Sequence, residues 1–295
     1  MIIKSTFPVD RLTSIKQHGL AKSVLIIESV QELIAFYKTN QPYTLIGKGS
    51  NSIIHPDCFL SPILQLSQTL TPVSYKQSTL TVPAGLPTHH LMGFLQKYEC
   101  SSLEFSAGVP ASVGGMVTMN FGCWGHSIST FLIRARFIDS SGNDMWLTNE
   151  EIEFGYRTSI IQKNNLTLIE AEFLCTPSTK EKIKARIDTS LKKRLAHQPL
   201  RHNTFGSIFK NPIGDFAGRL IEESGLKGHS IGNLHLSNQH ANFMVNTGHS
   251  TYKDIVEFLQ TIQDIVLSKT GIHLEKEVKS LTPYSCSKLG SPNLT

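Results

Sequence analysis

From Ala107 to Gly125 the chain reads AGVPASVGGMVTMNFGCWG, a stretch that holds Gly108, Gly114, Gly115, Gly122 and Gly125. Glycine loses more conformational freedom on ordering than any other residue, so it weakens helices and strands alike. Backbone this bare is suited to lie against a planar or phosphorylated ligand, and Pro110 is placed to open a helical turn within it. A second glycine turn, Gly47-Lys48-Gly49-Ser50-Asn51, follows directly on the apolar strand Tyr43-Thr44-Leu45-Ile46. With no Cβ in the way its N–H groups can approach phosphate oxygens, and Ser50 and Asn51 add side-chain donors. Its spacing matches neither the GxxxxGKS/T of a P-loop nor the GxGxxG of a Rossmann unit. Alone it is no more than a turn. Paired with the longer loop, it suits a dinucleotide.

What surrounds these loops is bounded by size and charge. A chain of 295 residues exceeds the roughly 100 to 150 at which single cores usually split, so two or three lobes are expected. A hydrophobic fraction of 40% with 17% charged residues is that of a globular protein. The net charge of +5 comes from 28 basic and 23 acidic residues, scattered except for a basic run over 180–194. Ile183, Ile187, Leu191 and Leu195 recur through that run at a spacing of four, which predicts an amphipathic helix with these four buried and the basic face in water. Aromatics are absent from it, which speaks against a nucleic-acid or membrane surface. Cys58, Cys100, Cys123, Cys175 and Cys286 are odd in number and form no CxxC pair, so reduced thiols and no zinc site are expected. His89 and His90 lack any partner at ligand spacing, and no metal is expected. The N-terminus has no h-region and no apolar run approaches the roughly 18 residues of a membrane helix, so a cytoplasmic protein is expected.

Local patterns place the elements. Ser29 and Glu32 form a capping box before Val30, Leu33, Ile34 and Tyr37, a short helix ahead of Pro42. Short strands are predicted at 62–66 and 80–82, and a helix over 88–98 with Leu91, Met92 and Leu95 inward. Antiparallel strands are predicted at 132–138 and 166–174, joined through the turn Ser140-Ser141-Gly142-Asn143 and a capped helix at 148–154. Past Pro199 follow a helix over 215–224 closed by Gly225, a strand at 242–246, and a long helix over 250–270 stopped by Gly271. This last third reads as a small α+β lobe, and the residues after Pro283 as a tail.

A series of motifs makes the reading specific: GKGSN after a strand, AGVPASVGGMVTMNFGCWG, FGYRTS, GSIFKNP with AGRLIEESGLKG, NTG, and LEKEV. In order and spacing they resemble those of the UDP-N-acetylenolpyruvoylglucosamine reductase family, from about Leu45 to Leu281. The resemblance implies an α+β fold with a two-lobed FAD-binding domain of vanillyl-alcohol-oxidase type and a smaller C-terminal substrate-binding domain. On that pattern residues 1–60 and 61–195 form the two FAD-binding lobes, 196–275 the substrate domain, and 276–295 a return segment and tail. FAD would be held by Gly47, Lys48, Gly49, Ser50, Asn51 and Ser52 and by Gly108, Pro110, Ala111, Ser112, Gly114, Gly115, Asn120, Gly122 and Gly125. NADPH would reduce the flavin and make way for a sugar-nucleotide substrate, with no nucleic-acid or membrane partner and no oligomer required. The intervals between Arg157, Ser207 and Glu277 resemble the compact branch, which lacks a substrate-capping insertion.

The implied reaction sets its own requirements. Hydride added to a terminal vinyl carbon builds negative charge on the next carbon and its carboxylate, so the site needs a cation or acid there and a proton donor aimed at the alpha carbon. By motif, Arg157 in FGYR and Glu277 in LEKEV fill the first role and Ser207 in GSIFKNP the second. A hydroxyl is a poor acid and needs a charged neighbour or water chain, for which Lys210 and Asn211 stand nearby in sequence. Tyr156, Lys210, Asn211, Lys227 and His240 are candidates for substrate contacts, because a nucleoside diphosphate calls for cationic and hydrogen-bonding partners. The chain departs from the family pattern at Leu12 to Gly19, at Ile231-Gly232-Asn233, and at Lys279, where the family's LEPEVR has Arg. Rival readings are another FAD oxidoreductase of the same fold, which has no reason to keep the three catalytic candidates together, and a non-catalytic flavin- or nucleotide-binding paralogue.

Overall fold

The structure, a computed structural model, describes residues 1–283, so the expected tail beyond Pro283, with Cys286, lies outside the described residues. The first lobe consists of β1 (Ile2–Pro8), β2 (Leu20–Ile27), α1 (Val30–Tyr37), β3 (Thr44–Leu45), β4 (Ser52–Ile54) and β5 (Ile63–Leu66). Its main sheet has the order β1-β2-β5-β3, antiparallel at β1–β2 and parallel elsewhere. β5 thus carries the first sheet to Leu66, beyond the expected division at residue 60. β1 escaped the sequence pattern because its residues are mostly exposed, with no alternation to read. At the start of α1 the Ser29 hydroxyl accepts the Glu32 N–H, and Leu33, Phe36 and Tyr37 bury against Leu25, Ile27 and Leu64. Ile138 and Ile169 of the second lobe complete this core, and Tyr37 Oη lies 2.5 Å from Thr167 Oγ1.

The second lobe comprises β6 (Ser74–Lys76), β7 (Thr79–Pro83), α2 (Thr88–Lys97), β8 (Cys100–Ser101), α3 (Val113–Thr118), the small hairpin β9 (Gly122–Cys123) and β10 (His126–Ser127), β11 (Leu132–Ile138), β12 (Asp144–Thr148), α4 (Ile161–Asn164), β13 (Thr167–Leu174), β14 (Thr176–Pro177) and α5 (Lys180–His197). Its five-stranded sheet runs β12-β11-β13-β7-β6, every neighbour antiparallel. Leu80, Val82, Ala135, Phe137, Ala171 and Phe173 bury from the sheet into one cluster with Leu91 and Leu95 of α2 and Ile183 and Ile187 of α5.

Two expectations fail here for identifiable reasons. The helix predicted at 148–154 is a single turn following β12. Thr148 and Glu151 do exchange capping bonds, but Glu153 adopts φ +49°, which ends helical propagation. On α5 the last member of the apolar stripe, Leu195, is 46% exposed, and its neighbour Arg194 is buried instead. Arg194 turns inward because the glycine segment offers carbonyls there: its Nε donates to Ala107 O at 3.1 Å and its Nη2 to Phe105 O at 3.3 Å.

The third lobe holds α6 (Ala217–Glu223), β15 (Ser230–Ile231), β16 (Leu234–Leu236), β17 (Met244–Asn246), α7 (Tyr252–Thr270) and β18 (Lys279–Leu281). α7 opens with a complete capping box from Thr251 and Asp254 and closes at Gly271 with φ +72°, and Ile255, Phe258, Leu259, Ile262 and Val266 are all buried. Ile15 and Ile53 from the first lobe enter this core. β18 then leaves it to pair in parallel with β4, which ties the end of the described chain to the first lobe. No helix among the described residues is long and apolar enough to cross a membrane.

Arg194→Ala is expected to cost about 2–4 kcal/mol, since it strands two carbonyls beneath the glycine segment and removes charge-assisted bonds. Arg194→Lys should recover only part, because an ammonium lacks the guanidinium fork. Urea unfolding checks both, and a loss below about 0.5 kcal/mol for the alanine variant, the range of an ordinary surface change, would contradict this role.

Candidate active site

Arg157 sits in a tight turn closed by Gly155 N–H to Thr158 O at 3.0 Å. Its own φ is +58°, a left-handed conformation that costs a residue with a Cβ about 1 kcal/mol or more. The turn throws the guanidinium over the rings of Phe121 and Tyr156, 5.6 and 5.5 Å from their centroids. Its Nε lies 2.8 Å from Glu277 Oε1, in an ion pair whose side chains are only 16% and 13% exposed. The Nε–H is turned away from a hydrogen-bonding line, so the contact is one of charge more than of direction.

Glu277 reaches this position through backbone pairing. The extended segment 207–210 runs beside 275–277: Glu277 N–H donates to Ile208 O at 2.9 Å, and Lys210 N–H to Glu275 O at 2.8 Å. Asn51 of the first glycine turn donates from Nδ2 to Glu277 O at 3.1 Å, and Lys279 N–H returns a bond to Asn51 O at 3.0 Å. The residues Arg157 from the second lobe, Ser207 and Glu277 from the third, and the GKGSN turn from the first therefore meet in one region. Burial, the dominant effect, pushes the Glu277 carboxyl above its ordinary pKa, while the charge of Arg157 pulls it back. Burial and the nearby Lys210 lower the Lys279 ammonium.

Ser207 is partly exposed, and its hydroxyl has no hydrogen-bond partner among the described residues. The neighbours expected to assist it are engaged elsewhere: Lys210 Nζ pairs with Glu275 Oε1 at 2.5 Å, and Asn211 Oδ1 accepts the Ala217 N–H at 3.1 Å. Tyr156 Oη accepts the Asn211 N–H at 3.4 Å, which links the second and third lobes at the edge of the site. Lys227 pairs with Glu222 at 2.8 Å past the far end of α6, away from Asn211. His240 lies against Gly218 and Phe243, and its Nδ1 accepts the Asn242 N–H at 3.2 Å.

The two glycine loops touch. A Cβ on Gly47 would lie 2.6 Å from Ser112 Oγ, the hydroxyl that caps α3 by accepting the Gly115 N–H. Among the described residues no backbone N–H of residues 47–51 donates within the protein, so the turn offers a run of free donors of the kind that cradles phosphates. Lys48 is exposed at the same turn. Together these fit the pyrophosphate of a dinucleotide. Other glycines serve packing: a Cβ on Gly49 would lie 2.0 Å from Leu12 O, and one on Gly114 3.1 Å from the Ala84 Cβ. The divergent 12–19 segment is what presses on Gly49, with Ser14 N–H donating to Gly49 O at 3.0 Å. Asn120, expected against the cofactor, has its amide spent on Gly155 O and Ser129 N–H, each at 3.1 Å. Trp124 packs against Lys193 and Arg194, 4.9 and 4.6 Å from its ring centroid.

Asn242 and Gln162 went unnoticed in the sequence. Asn242 brackets Phe209, accepting its N–H at 3.0 Å and donating to its carbonyl at 2.8 Å, which fixes the strand that carries Ser207. No local spacing marks such a residue, because its partner is distant in sequence.

Known proteins resemble this chain along most of its length. A family model described as "FAD binding domain" matches residues 22–148, and one described as "UDP-N-acetylenolpyruvoylglucosamine reductase, C-terminal domain" matches residues 198–281. The chain is 38% identical over 242 residues to a UDP-N-acetylenolpyruvoylglucosamine reductase of Halalkalibacterium halodurans, covering 82% of this chain and 80% of that protein. It is 36% identical over 274 residues to the protein of that name in Clostridioides difficile, covering 93% and 88%. The crystal structure of the Thermus caldophilus reductase superposes with a TM-score of 0.80 at 28% identity, over 95% of this chain and 99% of that one.

The Glu277 titration gives a direct check on the electrostatics. A raised pKa means that the folded state binds this proton more tightly than the unfolded chain. The group therefore adds stability below the ordinary carboxylate range and loses it as pH rises through the shifted value. Carbon NMR should place the Glu277 titration above 4.5, and Arg157→Ala should move it higher still. A downward move would mean that the pair is not coupled as described.

Proposed function

The chain belongs to the UDP-N-acetylenolpyruvoylglucosamine reductase family, and on that footing we propose that Arg157, Ser207 and Glu277 form the site at which the enolpyruvyl group is reduced. The activity is the FAD-dependent reduction of UDP-N-acetylglucosamine enolpyruvate to UDP-N-acetylmuramate, with NADPH as reductant, in peptidoglycan precursor synthesis. The observation that carries the residue assignment is the buried Arg157–Glu277 pair, held at 2.8 Å beside the strand of Ser207 and the free N–H groups of the first glycine turn.

When bound, FAD supplies the hydride carrier between NADPH and the vinyl carbon. The first glycine turn, with Ser50, Asn51 and Ser52 following on Gly47, Lys48 and Gly49, would hold its pyrophosphate, and the 108–125 segment would hold its ring system. Arg157 holds the substrate carboxylate and stabilises the negative charge that develops beside it. A carboxylate arriving there takes the counter-ion of Glu277, and burial, which already dominates, then carries Glu277 to its neutral, proton-bearing form. Ser207, whose hydroxyl has no partner among the described residues, gives the proton to the alpha carbon. Tyr156 and Asn211, joined at the lobe boundary, contact the sugar nucleotide, and the exposed Lys227 and the half-buried His240 belong to its outer reach. All three catalytic residues come from one chain, so a single copy suffices for the site. The four described cysteines are free thiols, in keeping with the cytoplasm, where we place the protein.

The purified protein should be yellow and bleach with NADPH under anaerobic conditions. In Ser207→Ala the bleaching should proceed as in wild type, while reoxidation by the enolpyruvyl substrate slows by about a hundredfold or more, the usual worth of a positioned proton donor. Equal reoxidation rates would remove Ser207 from the role.

A further inference from the structure

The strained turn at Arg157 needs something to hold it, and the structure provides two side-chain amides for the purpose. Asn120, itself at φ +41°, donates from Nδ2 to Gly155 O at 3.1 Å, while its Oδ1 accepts the Ser129 N–H at 3.1 Å. Gln162, at the start of α4, donates from Nε2 to Thr118 O at 2.9 Å and to Arg157 O at 3.4 Å. Ser159 Oγ adds a bond to the same Thr118 carbonyl at 2.7 Å. The first and last residues of the turn's strained half are thus tied to the C-terminal end of α3, the helix capped by Ser112 within the longer glycine segment.

We propose that Asn120 and Gln162 are positioning residues for the reduction: they keep Arg157 in its left-handed conformation so that its guanidinium faces Glu277 and the incoming carboxylate. This rests on the function proposed above. Released from these bonds, the turn keeps only the Gly155–Thr158 backbone bond and the contacts of the guanidinium itself, and Arg157 relaxes toward an ordinary φ. That relaxation swings the guanidinium off Phe121 and away from Glu277. The cation remains in the protein and no longer stands where charge develops, and small misplacements of this kind are costly in rate. The same anchoring makes α3 a common support: the helix end that fixes the turn belongs to the segment proposed to lie against the flavin. Cofactor and carboxylate anchor are thereby set relative to one another through one short stretch of backbone.

Asn120→Asp and Gln162→Glu keep side-chain volume and replace a donor with an acceptor facing a carbonyl. In FAD-loaded protein each is expected to slow reoxidation of the reduced flavin by the enolpyruvyl substrate about tenfold, the worth of one or so hydrogen bonds. Bleaching by NADPH and FAD content should stay as in wild type in Gln162→Glu, whose residue lies outside the segment proposed to face the flavin, and that variant carries the comparison of the two half-reactions. In an Arg157→Ala background the same substitutions should change reoxidation by less than about twofold, because the residue they position is gone. Thermal melting identifies a variant that fails to fold, and each substitution alone carries the test of reoxidation. Equal slowing of both half-reactions in Gln162→Glu, an unchanged reoxidation rate, or the full tenfold loss persisting without Arg157 would each overturn the proposal. Should wild-type reduced flavin not be reoxidised by the substrate at all, the functional reading fails first and this inference with it. Normal wild-type turnover that collapses in Arg157→Ala but ignores Asn120 and Gln162 would sink the inference alone.

Discussion

The short backbone exchange around Glu277 holds the rest together. Its N–H goes to Ile208 O, its carbonyl to Asn51 Nδ2, and two residues on Lys279 N–H bonds Asn51 O before the chain pairs with β4. One residue is thereby fixed to the third lobe's own strand and to the first lobe's glycine turn. Its side chain meets an arginine of the second lobe. Lobes joined only by linkers would be free to move relative to each other. Here the site is also the joint: two main-chain bonds and the Asn51 amide fix Glu277, and side-chain amides hold the turn of Arg157.

The glycines contribute to this in a way that a ligand-centred view overlooks. Gly47 lets the two loops approach, Gly49 accepts the carbonyl of Leu12 almost against its Cα, and Gly114 lets α3 settle on the end of β7. The first contact joins two lobes, and the other two close segments of a single lobe on each other. The same turn that takes the pressure of the 12–19 segment at Gly49 has no backbone N–H of residues 47–51 donating among the described residues. Packing and the proposed cofactor binding draw on the same residues.

What could be read in the sequence was what depends on near neighbours. The stripe of α7, the cap of α1 and the ordered motifs are local signals, and the structure realises them. The helix over 148–154 misled because its capping signal is genuine and its failure lies at Glu153, whose left-handed φ answers to the turn that follows. Leu195 and Arg194 exchanged places on α5 because helical spacing sees only the helix, whereas the carbonyls of Phe105 and Ala107 sit elsewhere in the chain. The bonds of Asn120, Gln162 and Asn242 were invisible for the same reason: an amide's role is decided by its partner.

The Arg157–Glu277 pair shows why such positioning matters more than affinity. Removing both charges from water is expensive, and a buried pair seldom repays that cost in stability. Arg157 adds backbone strain, and its Nε–H is misaligned with the carboxylate it faces. A pair selected for stability alone would be better aligned and unstrained. One with unspent hydrogen-bonding capacity, held in place by amides on another helix, is arranged so that a third charged group can enter it. In the function proposed above that group is the substrate carboxylate: it would give the Arg157 Nε–H an acceptor and, by taking the cation, leave Glu277 to the burial that raises its pKa.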